Sequence, residues 1–378
     1  MTKLNKINVK DSNIEYSKYK IITILREIDM NIEKIHFDSN NVKDNVFLFK
    51  LKNKNNMEAV VTNYGATLIS LYIPKNDENI DVVLGYDNLD SYISNPKFFG
   101  ATIGPNCNRI NNGCFTLNDI EYHLEKNDNN NNLHSGGKGL HNVVWDYCIN
   151  EEDNYVEFNY LNPDKSQGFP GNLELKVRYI LTDDNELKLS YEGISDKDTI
   201  VNLTNHTYFN LSGHKNKDAT SQKLWINAKS FTPVKDSKAI PTGEITPVKG
   251  TPMDFTISKK IGSQINEQYG QLLFCGGYDH NFVIDKKKDG IEKIAELYDE
   301  RTDITMEVYS DMPGVQFYAG NFISGGPIGK DNTVYEDRCG ICLETQYFPD
   351  SINNRNFKSP ILRAGDKYES TTIYKFYY

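Results

Sequence analysis

The chain has 378 residues, a formal net charge of −10 and a pI near 5.3. A field of that sign repels nucleic-acid phosphates and anionic lipid, so neither is an expected partner. Aromatics make up 12% of residues, as 24 Tyr and 18 Phe against 2 Trp, a supply that suits sheets better than helix bundles.

Residues 1–40 are rich in Asn, Lys and Asp and read as an N-terminal extension whose order the sequence does not specify. One apolar segment inside it, Tyr19–Met30, fits a strand or a short helix. The opening MTKLNKINVKDSN lacks the apolar core of a signal peptide, and no later run approaches the length of a membrane span. A cytoplasmic location is therefore expected, and the Asn-x-Thr/Ser sequons at Asn202, Asn205 and Asn210 are expected to stay unmodified. From Val46 onward, short segments with β-branched or aromatic residues at near-alternating positions predict strands. They cover 46–53, 58–74, 113–127, 155–162, 173–181, 186–194, 223–231, 279–285, 303–311, 314–322, 340–348 and 370–378. Asp, Asn and Gly punctuate them as turns. The run NDNNNN, Asn127–Asn132, predicts a mobile loop, and Ile257–Gly270 predicts one short helix. The sum is an all-β chain, a large antiparallel β-sandwich or barrel, with a single domain over residues 41–378.

Cysteines stand at 107, 114, 148, 275, 339 and 342 without a disulfide framework, which suits reduced thiols. Cys339-Gly-Ile-Cys342 has the spacing of a redox or zinc pair, yet no second pair or βαβ context accompanies it. These thiols fit better as small strand residues.

Five polar groupings can carry chemistry. GPNCNRI places Asn108 beside Arg109, whose five fixed donors suit adjacent hydroxyls or a carboxylate; a structural ion pair is the plain alternative. NLHSGG places His134 before glycines that let a ligand approach the backbone. NLTNHTYFNL places His206 in a strand-like run between Asn205 and Thr207, polar groups able to hold an imidazole in one tautomer. That histidine reads as a catalytic acid, a metal ligand or a core residue, and a lone histidine in a strand is more often structural. GGYDHNF places Asp279 at the head of a strand, as a site residue or a turn cap. In CLETQYF, period two puts Cys342, Glu344 and Gln346 on one face, towards solvent or towards a site. His134, His206 and Glu344 form a conceivable zinc set, but no HExxH motif supports it, and no G-x-S-x-G elbow supports a serine hydrolase.

NYGATLISLYIP, NLTNHTYFNLSG, YDHNF, PGVQFYAGNF and CLETQYFPDSINN, in that order along the chain, resemble the aldose 1-epimerases, or galactose mutarotases. The resemblance runs from about Met57 to the C-terminus and implies a galactose mutarotase-like supersandwich. It implies His206 as general acid and Glu344 as general base, with Asn108, Arg109, His134, Asp279 and Gln316 binding the sugar. The implied reaction needs no cofactor and no metal, and the implied partner is a small-molecule aldose, handled by a monomer or weak dimer. Glu344 would take the C1 hydroxyl proton while a protonated His206, its pKa raised by Asp279, gives one to the ring oxygen. Pro105, Cys107 and Ser135 stand where the family usually has Arg, Ala and Gly. The rival expectations are a hexose-6-phosphate 1-epimerase and a non-catalytic sugar-binding module.

Overall fold

Strand Leu173–Leu181 shows how the alternation becomes structure. Leu173, Leu175, Val177, Tyr179 and Leu181 point into the core, while Glu174 and Lys176 point to solvent. Each such apolar side chain contributes about 1.5–3 kcal/mol on burial. The computed structural model describes residues 31–39, 41–42 and 45–378, and its large sheets are antiparallel throughout. The apolar segment Tyr19–Met30 lies outside the described residues.

Three sheets carry most of the strands. A meander of Ile32–His36, Phe47–Lys52, Glu58–Thr62, Thr67–Lys75 and Glu78–Asp81 forms the first. The largest has nine strands, in the order 146–150, 155–162, 173–181, 186–195, 367–377, 304–310, 292–299, 223–226 and 259–260. Strand Lys367–Tyr377 thus lies between Glu186–Ser195 and Ile304–Ser310, pairing with both. The third sheet has five strands, in the order Thr246–Pro247, Ser230–Thr232, Asp279–Val283, Gly314–Tyr318 and Cys342–Gln346. One continuous apolar cluster joins the three, from Phe49 and Leu71 through Val177 and Leu189 to Val315 and Leu343.

Three expectations change. Strand Ile32–His36 lies inside the stretch expected to be an extension; it pairs with Phe47–Lys52, so the folded unit starts before residue 41. The short helix is not within Ile257–Gly270. That stretch holds a bridge strand and a 3₁₀ turn, and the helix spans Gly270–Cys275, where Leu272 and Cys275 give it a buried side. The Asn run is an ordered turn: Asp128 and Asn131 exchange backbone hydrogen bonds at 3.1 and 2.7 Å, and Asn132 is buried. Two of its amides bond neighbouring backbone, Asn127 Nδ2 to Leu133 O at 3.0 Å and Asn132 Nδ2 to Glu125 O at 2.8 Å, while Asn129 and Asn130 stay exposed.

A second helix, Leu89–Ser94, starts at Asn88, whose side chain accepts the Ser91 amide at 2.9 Å. Among the described residues no helix is long and apolar enough to cross a membrane. A buried ion pair ties a late loop to the first sheet. Lys330 Nζ donates to Asp81 Oδ2 at 2.5 Å, Ile69 O at 2.9 Å and Ser70 Oγ at 3.1 Å. Asp81 Oδ1 accepts the Leu71 and Val83 amides at 3.1 and 3.3 Å, so both charges are hydrogen-bonded.

Candidate active site

The third sheet lines up three of the expected residues by register alone. Gln316 lies opposite Asn281 on one side and Glu344 on the other, and Asp279 lies opposite Tyr318. Directly opposed residues share a face, and steps of two along a strand return to it. Asp279, Gln316 and Glu344 therefore project together from strands about 4.8 Å apart. Gln316 Nε2 donates to Asp279 Oδ1 at 2.6 Å, which orients the amide. Cys342–Gln346 is buried along its whole length, so Glu344 does not face solvent.

Two loops bring the next three. Asn108, with φ 59°, turns the chain so that Arg109–Ile110 pairs with Asn132–Leu133. The Asn108 amide donates to His134 Nδ1 at 3.2 Å, and the His134 amide donates back to Asn108 O at 3.1 Å. Arg109 Nε donates to Asp128 Oδ2 at 2.8 Å, while Nη1 lies 3.9 Å from Asp279 Oδ2. Ser135, where glycine was the family habit, has φ 64°, the region that favours glycine. Its hydroxyl accepts the Asn106 amide at 2.9 Å and donates to Asn106 O at 3.0 Å, which offsets the strain. Two substitutions separate these effects. Ser135→Gly loses two hydrogen bonds but relaxes the backbone, whereas Ser135→Ala loses both and keeps the strain. The Ala variant should melt lower than the Gly variant, by about 1 kcal/mol in stability, in paired thermal melts.

His206 follows strand Thr204–Asn205, which pairs with Thr102–Ile103. Its Nε2 lies 3.8 Å from Glu344 Oε1 and its Nδ1 lies 3.5 Å from Cys342 Sγ. Asn205 and Thr207, expected to steady the imidazole, point elsewhere. Asn205 Nδ2 donates to Gly100 O at 2.8 Å and Tyr179 Oη at 3.1 Å, and Thr207 donates to Asn205. The pleat sends neighbours to the opposite face, so they fix the backbone and not the ring.

The electrostatics also correct an expectation. Burial pushes the His206 pKa down to about 4, and the Asp279 charge opposes this without prevailing. Burial and then Asp279 push the Glu344 carboxyl well above the usual carboxylate range, with Arg109 pulling the other way. Both shifts favour the proton on Glu344 over His206 in the free cavity. Glu344 Oε2 is buried and has no hydrogen-bond partner among the described residues. His134 is driven well below its ordinary value by burial, with the His206 and Arg109 charges adding to it.

All seven expected residues, Asn108, Arg109, His134, His206, Asp279, Gln316 and Glu344, line one cavity of about 520 Å³. Other lining residues were not foreseen. Asp128, hidden in the Asn run, holds Arg109. Tyr208 stacks on His206 with ring centroids 5.0 Å apart. Phe98 sits within 4.9 Å of the His134 and His141 rings and 5.8 Å of His206, at a φ of 59° that is strained for an aromatic residue. A positive φ leaves no trace in composition, so Phe98 did not stand out in the sequence. Cys107 donates to Gln346 Oε1 at 3.3 Å beneath the sheet. Cys339 and Cys342 are buried free thiols packed with Tyr208 and Phe99.

The conceivable metal set does converge, with one donor-type atom each from His134, His206 and Glu344 within 4.8 Å of one another. The tautomer of His134 argues against a cation. Its Nδ1 accepts a backbone N–H, so its proton sits on Nε2, and the remaining nitrogen is a hydrogen-bond donor. A metal needs a bare lone pair there, whereas a hydroxyl oxygen needs a donor.

An antiparallel supersandwich with carboxylate, imidazole, guanidinium and amides around one buried cleft defines the galactose mutarotase-like class. A solved aldose epimerase homologue from C. elegans superposes with TM-score 0.81 at 27% identity, covering 88% of this chain and 98% of that one. A galactose 1-epimerase from Lactobacillus acidophilus gives TM-score 0.80 at 28% identity, over 92% and 99% of the two chains. Human galactose mutarotase is 37% identical over 317 residues, 84% of this chain and 90% of that protein. Aldose 1-epimerase of Escherichia coli is 36% identical over 332 residues, 87% and 94% of the two. The sequence profile of the aldose 1-epimerase family matches residues 48–375. The chain belongs to the aldose 1-epimerase family and is an isomerase.

Proposed function

We propose that this protein interconverts the α and β anomers of free hexoses such as glucose and galactose, with Glu344 and His206 exchanging the protons. The observation that carries the reading is the buried carboxylate–imidazole pair, 3.8 Å apart, facing a cavity that also presents Asn108, Arg109, His134, Asp279 and Gln316 beside apolar and aromatic side chains. Anomer exchange requires the C1–O5 bond to open, C1 to turn about C1–C2, and the ring to close on the other face. Opening removes the proton from the C1 hydroxyl and delivers one to O5. Glu344, with raised proton affinity, is a strong base towards the hydroxyl. His206, with lowered affinity, is a strong acid towards O5 once it carries the dyad's proton. Ring opening then moves the dyad from ionised Glu344 with cationic His206 to neutral Glu344 with neutral His206, and closure reverses it. The neutral pair is also the form that the two pKa shifts favour in the free site. His134 Nε2–H, Arg109, Asn108, Asp279 and Gln316 would hold the remaining hydroxyls and steady the oxyanion developing at C1.

The two cations at the cavity are already engaged, Arg109 by Asp128 and Asp279 and Lys97 by Phe322 O at 2.7 Å. That favours an unphosphorylated sugar over a hexose 6-phosphate. The unit that carries the activity is taken as residues 41–378 with strand Ile32–His36 on its edge. A cytoplasmic monomer or weak dimer suits an acidic chain with six free thiols and a site complete within one chain. Polarimetry on freshly dissolved α-glucose and α-galactose tests the proposal, with glucose 6-phosphate as comparison. Absence of catalysed exchange, with sugar binding retained in calorimetry, would assign a sugar-binding module instead.

The pH profile has a definite shape. Exchange needs one proton on the dyad. Below about pH 4, His206 gains a proton while Glu344 keeps its own, and no base remains. At high pH, Glu344 loses its proton through its raised pKa, and no acid remains. The acid limb of the catalysed rate should therefore lie near 4 and not in the ordinary histidine range near 6.5. An acid limb centred near 6.5 would contradict this.

A further inference from the structure

We propose that Cys342 is the positioning residue for His206: its sulfur accepts the Nδ1 proton and leaves Nε2 as the nitrogen that trades a proton with the sugar. This rests on His206 being the acid of the epimerase reading.

Cys342 opens the strand that carries Glu344, and a step of two puts both side chains on one face. Its Sγ lies 3.5 Å from His206 Nδ1. The opposite ring edge, Nε2, faces Glu344 Oε1. The Tyr208 ring stacks on the same imidazole. The sulfur thus faces Nδ1, while Asn205 and Thr207 are bonded elsewhere.

Proton logic fixes the direction of the contact. A histidine that gives a proton from Nε2 must keep its other proton on Nδ1 throughout, as the imidazolium and as the neutral ring left behind. The other neutral tautomer could donate from Nε2 only by becoming an imidazolate. Nδ1–H therefore needs an acceptor. In hydrolase triads a carboxylate fills that place and makes the imidazole more basic. Sulfur is a weak, neutral acceptor, so it fixes the tautomer without raising proton affinity. His206 stays a readier acid than an Asp-paired histidine. The neighbouring His134 is set the opposite way, because a backbone N–H points at its Nδ1. Adjacent histidines thus carry opposite tautomers, one a fixed donor and one a proton exchanger.

¹⁵N NMR of the labelled protein at neutral pH separates protonated from bare ring nitrogens, and loss of signals in His206→Asn assigns them. Wild type should show His206 with Nδ1 protonated and Nε2 bare. Cys342→Ala should move His206 towards the Nε2–H form and lower kcat about 10–100-fold with KM unchanged. Cys342→Ser, whose hydroxyl accepts more strongly, should restore the tautomer and most of kcat. A bare Nδ1 in wild type, or full kcat in a folded Cys342→Ala, would overturn the proposal. If Cys342→Ala does not fold, the wild-type spectrum and the Cys342→Ser rate still decide. If wild type catalyses no exchange, the epimerase reading fails, and the spectra alone decide the sulfur contact.

Discussion

Glu344→Gln is expected to lower catalysed anomer exchange by roughly 10²–10⁴-fold while leaving the protein folded. Gln keeps the shape and the buried position but cannot take the C1 hydroxyl proton. His206→Asn should cost a similar factor by removing the proton that reaches O5. The same Gln substitution should change stability in the opposite sense. The native carboxyl binds its proton more tightly than the unfolded chain does, so the native state holds more protons above the ordinary value of 4.5. Wild-type stability therefore falls as pH rises through that window, and Gln removes this loss. The variant should melt increasingly above wild type as pH rises above about 4.5 in parallel melts. Wild-type exchange by the purified, folded variant would remove Glu344 from the reaction.

Lys330→Met is expected to destabilise the fold by about 3–5 kcal/mol, because it leaves the buried Asp81 carboxylate without its cation. The Leu71 and Val83 amides remain, but two backbone donors do not neutralise a charge in a low-dielectric interior. Adding Asp81→Leu should recover much of the loss, since an apolar pair of similar volume tolerates burial. Denaturant unfolding of the two single variants and the double gives the coupling. Purely additive losses would mean that the two charges do not interact.

That pair also marks where sequence reading stops. Asp81 and Lys330 lie 249 positions apart, and each looks like an ordinary surface charge in its own segment. Strands such as Leu173–Leu181 were legible because one face is core and the other solvent, which writes a period of two into the chain. Glu292–Asp299 was not legible: a bulge between Lys293 and Ala295 puts Ile294 and Ala295 both inside and breaks the alternation. Ile32–His36 was hidden by charge, because an edge strand keeps Glu33 and Lys34 in water. At the site, each candidate alone had a structural reading at least as strong as the functional one, and the family resemblance was needed to choose among them. What makes them a site is register between strands at 279, 316 and 344, closed by loops at 108, 134 and 206. No local window contains that information. Asp128 escaped notice, and Cys342 was read only as a small strand residue, because their contacts run to Arg109 and His206, and contact between side chains is not a property of spacing.

Strand Lys367–Tyr377 has a consequence for how the molecule is made. It is translated after both of its neighbours, yet it sits between them in the middle of the nine-stranded sheet. Until it emerges from the ribosome, Glu186–Ser195 and Ile304–Ser310 each present an unpaired, apolar edge about where the other half-sheet must later join. Such edges invite pairing with another nascent chain. The cleft is then assembled on a scaffold whose keystone arrives late. Synthesis that stalls within those last residues should yield aggregates rather than a partly active enzyme, even though every group lining the cavity has already been made.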